Sequence, residues 1–122
     1  MRVNSLNIEE LKQIEHSAKD IRKWIKILGE EEPKNINEII LIKYIKHQRT
    51  GVVEKEVNDM GYRVGNRKYI HKDIKDIILS GDEVREELKI CAKNIYHFNK
   101  GKISWNKVSE SAKSFLNNMS LT

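Results

Sequence analysis

An all-α domain of five to six helices is the fold this sequence predicts, and three observations predict it. Apolar residues recur at spacings of three and four along most of the chain. The residues between those stretches, among them Asn7, Gly29, Asn35, Gly61, Ser80, Gly101 and Ser104, are of the types that start and stop helices. One Pro and six Gly in 122 residues leave little room for a long disordered linker. Hydrophobic residues form 39% of the chain and charged ones 34%, enough for one modest core under a well-solvated surface.

The first helix opens at Asn7, with Glu10 placed three residues on to complete a capping box. Leu11, Ile14, Ala18, Ile21, Ile25 and Leu28 then form a heptad stripe that ends at Gly29, a natural C′ residue. The stripe is shorter than the roughly three to four heptads of a free-standing coiled coil. It fits burial against the rest of the domain, or a homodimer seam through Leu11, Ile14, Ile21 and Ile25. Trp24 lies off the stripe, as an edge anchor in either case. Glu30-Glu31-Glu32-Pro33 is a solvated break, dividing an N-terminal helical segment, 1–32, from a helical domain, 34–122.

Asn35, followed by Glu38, opens a second helix that runs to about Gln48. Its apolar residues cover more than one face, so it should be the central and most buried helix. Thr50-Gly51 reads as a turn. A short helix over 52–60 follows, with Val53, Val57 and Met60 inward, closed by Gly61. Gly65-Asn66, between short runs of β-formers, is a two-residue hairpin signal, so 62–70 is a small β-hairpin or an extended loop. Ile70, Ile74, Ile77 and Ile78 mark a helix to about Leu79. Ser80, with Glu83, opens the next, which turns Val84, Leu88, Cys91 and Ile95 inward and has Ala92 and Phe98 beside them, as far as Asn99. Ser104 caps the last helix, in which Trp105, Val108, Ala112, Phe115, Leu116 and Met119 share a face that completes the core or docks a partner.

Charge points to one part of the chain. Residues 43–75 hold nine basic side chains and four acidic ones, so the whole net charge of +5 is matched by the middle third alone. A segment that binds a polyanion would show that bias. The same region, 41–79, reads helix, turn, short helix, loop or hairpin, helix, the plan by which helix-turn-helix proteins set one helix in the DNA major groove. Arg49 in the turn and Arg63, Arg67 and Lys68 on the hairpin are candidates for phosphate contact. His71, Lys72 and Lys75 lie on the helix that follows and are candidates for contact with base edges. Asp73 and Asp76 on that helix, and Glu54 and Glu56 on the one before, count against DNA and toward a protein partner.

Within this region Val57-Asn58, Gly61-Tyr62, the basic run Arg63 to Lys68, Tyr69 and the helix from His71 follow one another. The stretch 51–79 resembles the small helix-turn-helix of serine-recombinase tails and phage regulators. The resemblance covers about a quarter to a third of the chain and implies binding of double-stranded DNA. It departs from the pattern at Ile70, where Ser or Thr would cap the helix, and no recombinase catalytic domain accompanies it.

Catalytic and metal chemistry find no pattern. His16, His47, His71 and His97 fall on four different elements, and there is no P-loop, Cys-x-x-Cys or nucleophile elbow. Neither an enzyme nor a cofactor is expected. Cys91 is alone, which rules out an intramolecular disulfide and suits a small core residue. No apolar run approaches the ~20 residues of a membrane span, and the first residues do not read as a signal peptide, so a cytoplasmic protein without a membrane partner is expected. Lys, Ile and Asn dominate the composition, and their AT-rich codons suggest a low-GC bacterium or one of its phages. Two functions follow as expectations: a DNA-binding phage or prophage regulator, or a small phage protein that binds and inhibits a host (defence) protein.

Overall fold

A computed structural model describes residues 8–120 of the chain. Among them are six α-helices: α1 (Ile8–Gly29), α2 (Ile36–His47), α3 (Thr50–Asp59), α4 (His71–Ser80), α5 (Glu86–Asn99) and α6 (Trp105–Ser120). The protein is all-α. At 62–70 a single antiparallel bridge joins Val64 and Arg67 across Gly65-Asn66, a tight turn rather than a ladder. No described helix is long and apolar enough to cross a membrane.

α2 is the centre, as its many-sided apolar pattern predicts. Ile40, Leu41, Ile42, Tyr44 and Ile45 are all buried, and each of the four aliphatic side chains is worth roughly 1.5–3 kcal/mol of transfer free energy. α2 and α5 pack together; α1 and α6 lie on one side of that pair, α3 and α4 on the other. Asn35 caps α2 by accepting from the Glu38 N–H at 2.9 Å, and Gln48 ends it in a left-handed conformation. The reciprocal half of the capping box is different. The Glu38 carboxylate accepts from the Lys34 N–H and turns inward to Arg85, where it is 1% exposed.

Several boundaries differ from the sequence reading. The capping role of Asn7 lies outside the described residues. Gly29 is the last residue of α1 rather than a left-handed C′. A Cβ there would sit 3.0 Å from the Lys46 side chain, so the glycine serves the approach of α2. Thr50 and Gly51 belong to the first turn of α3, because left-handed Gln48 makes the turn one step earlier. Ser80 ends α4 instead of opening α5. Glu83 adopts a left-handed φ of 58°, which no right-handed helix contains, and the side-chain amides of Asn37 and Asn35 hold the carbonyls of Asp82 and Glu83, so α5 begins only at Glu86. Val84 therefore precedes α5, and Phe98 is exposed, while Leu88, Cys91, Ala92, Ile95 and Tyr96 carry the buried face.

The stripe of α1 divides along its length. Ile21 and Leu28 lie in the shared core together with Trp24, which is fully buried rather than an edge anchor. Leu11 is 44% exposed, and Ile14 and Ile25 are half-buried. Met60 and Ile70, expected inward, are 54% and 48% exposed, because both fall outside the helices they were assigned to bury. Cys91 is fully buried, which pushes its thiol pKa up and keeps it in the unreactive thiol form.

Candidate nucleic-acid interface

The α3–α4 connection is built from its own side chains. Gly61, at φ +94°, closes α3: the Tyr62 N–H reaches the Val57 carbonyl and the Gly61 N–H that of Asn58, a Schellman arrangement. The Asn58 side chain then holds the far end of the loop, accepting from the Tyr69 N–H at 2.8 Å and donating to the Tyr69 carbonyl at 3.0 Å. Tyr69 is buried as a result.

Ile70 cannot cap α4 with its side chain, and the cap is supplied from inside the helix. Asp73 accepts from the Ile70 N–H at 2.9 Å. The Arg67 guanidinium grips the same carboxylate with two hydrogen bonds, at 2.7 and 2.9 Å. Arg67 holds the Asp73 carboxyl at a pKa of about 2, with the Ile70 N–H adding to the effect. Arg67 is thus a strut between the turn and α4, and only half its side chain faces solvent. Arg63 is similarly engaged, donating to the carbonyls of Tyr62 at 2.7 Å and Asn58 at 3.2 Å, where it meets the negative end of α3. Two of the three arginines expected on phosphate are held by the protein itself.

The other candidates are placed differently. Arg49, Lys68, Lys72 and Lys75 are exposed, and among the described residues they make no hydrogen bond or ion pair through their side chains. His71 is the first residue of α4, and its Nδ1 lies 2.9 Å from the Thr50 Oγ, which brings the amino ends of α3 and α4 together. Where they meet is an open concavity of about 550 Å³ whose walls include Arg49, Lys55, His71 and Lys100, and no carboxylate. No side chain caps α3, so its first amides remain for water or an anion. Lys100 comes from the far end of α5, outside the basic middle third. Its ammonium sits 5.6 Å from the Tyr96 ring centre, and no local sequence signal could have placed it here.

Of the four acids that argued against DNA, Glu56 and Asp73 are paired within the fold, whereas Glu54 and Asp76 have no ion pair among the described residues. Lys43 meets Glu56 at 2.6 Å and His47 meets it at 3.1 Å; Lys43 chiefly depresses the Glu56 pKa. Lys55 pairs with Asp59 at 2.8 Å. With Asp73 held by Arg67, Asp76 is the exposed carboxylate left on α4. No group of three His, Cys, Asp or Glu among the described residues is arranged to hold a metal ion. Comparison with protein-family models, curated proteins and solved structures returned no match.

One expected result follows from the Arg67 strut. In Arg67→Ala the Asp73 pKa, followed by NMR titration, should rise from about 2 toward the ordinary carboxylate range, and the Ile70 amide should lose exchange protection. Because the folded-state pKa is depressed, the wild type loses the stabilisation from this pair as pH falls below about 4, and the variant, which keeps only the contribution of the Ile70 N–H, should show a smaller loss. An unchanged Asp73 titration would remove the strut.

Proposed function

We propose that this protein is a DNA-binding regulatory protein of a phage or prophage, meeting duplex DNA through α4 and the start of α3. The observation that carries this reading is the exposed positive charge of Arg49, Lys68, Lys72 and Lys75, none of them held in a hydrogen bond or ion pair among the described residues, around the joined amino ends of α3 and α4. Arg63, Arg67, Lys43 and Lys55, also in the middle third, are satisfied by carboxylates or carbonyls; these four are not. Phosphate contact is the use their chemistry favours. α4 is the better candidate for groove entry, since it exposes His71, Lys72 and Lys75 with only Asp76 among its exposed acids. Arg63 and Arg67 support the interface by shaping the turn and contribute charge from behind it.

The test is titration of the full chain into a fluorescently labelled random duplex, at low salt and then over a salt series. Binding that weakens steeply with salt supports the reading. No binding at low salt ends it.

Helix-turn-helix regulators commonly bind as pairs, and the exposed end of α1 is where a second copy would fit. Leu11, with half-buried Ile14 beside it, is available there, whereas Ile21 and Ile25, farther along the helix, already serve the core. Sedimentation of wild type and of Leu11→Ser should show a dimer that dissociates in the variant; a monomeric wild type at high concentration removes the seam.

A second reading has its own observation. Met60, Tyr62 and Ile70 are 54%, 36% and 48% exposed along the α3–α4 connection, an apolar group suited to a protein partner. A small phage-encoded protein that binds and inhibits a host (defence) protein would use it. Pull-down from host lysate with and without nuclease separates the two. Material lost on nuclease treatment favours DNA, and one stoichiometric protein that persists favours the inhibitor.

A further inference from the structure

The concavity where the amino ends of α3 and α4 meet has two buried phenols in its wall. Tyr44 and Tyr96 both line it, are 2% and 7% exposed, and have ring centres 6.1 Å apart. Buried tyrosine hydroxyls usually find a hydrogen-bond partner. Tyr96 is held by ring contacts, to Tyr44, His97 and the Lys100 ammonium, and its hydroxyl makes no hydrogen bond among the described residues. The unpartnered polar atoms shut away from solvent belong to Trp24, His97 and Trp105. The Tyr96 oxygen is not one of them, so it opens to the space that the residue lines. At Tyr44 the Asn99 side-chain amide donates to the hydroxyl, which leaves the phenol proton without an acceptor.

The rest of the wall suits an anion. Gly51 and Val52 line it, and their N–H groups, in the first turn of the uncapped α3, meet no acceptor among the described residues. Arg49 and Lys100 bring exposed cations from the α2–α3 turn and the end of α5. Lys55 brings a third, shared with Asp59, and no carboxylate lines the space. A helix end and surface cations can be left to water. A phenol donor more than nine-tenths buried in the same hollow is what calls for a bound acceptor.

We propose that this concavity seats a phosphate monoester. Near pH 7 a monoester carries about two negative charges and three terminal oxygens, against one charge and two such oxygens for a phosphate within a duplex. One oxygen would take the Tyr96 hydroxyl and another the Gly51 and Val52 N–H groups, with Arg49 and Lys100 balancing the charge. The volume of about 550 Å³ lies in the range of small-molecule sites, and the open side leaves room for the body of the ligand. A duplex phosphate sits on a convex surface, where it reaches exposed Lys and Arg but not a phenol sunk between α2 and α5. A free nucleotide and the 5′ end of a strand both offer the monoester. Arg49 and His71 also belong to the proposed duplex face, but the seat does not rest on that reading.

The test is amide NMR titration of the full isotope-labelled chain at about pH 7.5, above the second phosphate pKa of about 6. Methyl phosphate is the probe, and dimethyl phosphate is the diester control of nearly the same size. Methyl phosphate should move the Gly51 and Val52 amides saturably, with affinity about fivefold or more above that of the diester. Tyr96→Phe removes the hydroxyl alone and should weaken the monoester about tenfold; Lys100→Gln should weaken it about fivefold. Both variants should keep the helical circular dichroism spectrum and any duplex binding, so failure of the seat and failure of the DNA reading are told apart. Equal affinities for the two phosphates, no saturable shift at Gly51 and Val52, or variants that bind the monoester as the wild type does would each overturn the proposal. If a variant fails to fold, the comparison of the two phosphates on the wild type decides. A 5′-phosphorylated oligonucleotide that binds more tightly than its 5′-hydroxyl twin supports a strand end as the source; tight binding of adenosine 5′-monophosphate with no difference between the twins supports a free nucleotide.

Discussion

Arg85→Met is expected to destabilise the fold by about 3–5 kcal/mol, the cost of leaving one member of a buried ion pair without its partner. Glu38 is 1% exposed, and its carboxylate receives the Arg85 Nη2 at 2.9 Å, the Arg85 N–H at 2.8 Å and the Lys34 N–H at 3.0 Å. Arg85 in turn donates to the Glu32 carbonyl at 2.8 Å and lies 3.6 Å from Glu31. One guanidinium therefore fastens the start of α2, the 30–33 break and the entry to α5. Methionine keeps the length of the side chain and removes the charge. For a chain of this size the loss corresponds to a fall in melting temperature of roughly 12–20 °C. Adding Glu38→Gln should recover only part of this, about 1 kcal/mol, because it removes the buried charge while its single amide oxygen can accept from just one of the two backbone N–H groups, which reach different oxygens of the carboxylate. A single variant that melts like the wild type would show that the pair is incidental.

The same pair sets a pH dependence whose sign can be worked out. Arg85 holds the Glu38 carboxyl at a pKa of about 2, below its ordinary value of 4.5. The folded state thus binds the proton more weakly than the unfolded chain, and stability is complete above about pH 4.5 and declines as pH falls toward 2. The full loss is about 3 kcal/mol. In Arg85→Met the guanidinium is gone, and burial, which raises the Glu38 pKa, is opposed only by the backbone N–H groups of Lys34 and residue 85, so the pKa should rise from about 2. The variant should therefore lose less stability than the wild type on acidification from neutral pH. Urea midpoints measured from pH 7 to pH 3 would show the two trends diverging.

How far the sequence could be read depended on the distance over which each interaction acts. The α2 start at Asn35, the α6 start at Ser104 and the C′ role of Gly61 depend on residues within one turn, and all are present. The central position of α2 was legible because a helix that is apolar on more than one face must be covered on each of them. The Glu38–Arg85 pair was not, since 47 residues separate its members and Glu38 has a sufficient local reading as a capping residue. α5 begins late for a similar reason: left-handed Glu83 breaks the path into the helix, and the segment around it is held by Asn35 and Asn37, side chains far away in sequence. At the candidate interface the charge count located the region, and Arg49, Lys68, Lys72 and Lys75 are exposed as expected. Charge alone could not tell a free arginine from a strut. Arg67 differs from Lys68 only in that Asp73 lies within reach of its guanidinium once the turn has formed.

That distinction decides which substitutions test DNA binding cleanly. Replacing Arg67 would disturb the cap of α4, so a loss of binding would carry no message about contact. Replacing Arg49, Lys68, Lys72 and Lys75 together by Gln removes four exposed cations that no described group pairs. Folding should change by only about 0.5 kcal/mol or less per site. If each cation neutralises one phosphate, the slope of log affinity against log salt should become shallower by about 3.6, at roughly 0.9 per contact. Relative to about 1 M salt, where the electrostatic term vanishes, the same term weakens binding at about 0.1 M by about three and a half orders of magnitude, for specific and random duplexes alike. Lys55→Gln is the matched control, because Lys55 is paired with Asp59 and should release fewer counterions. Lys72→Gln or Lys75→Gln alone should reduce the preference for a specific site as well, by about 1–3 kcal/mol, if α4 reads base edges. A folded quadruple variant that keeps the wild-type salt slope would mean that any bound duplex is held elsewhere, and the proposal that α4 is the recognition helix would fall.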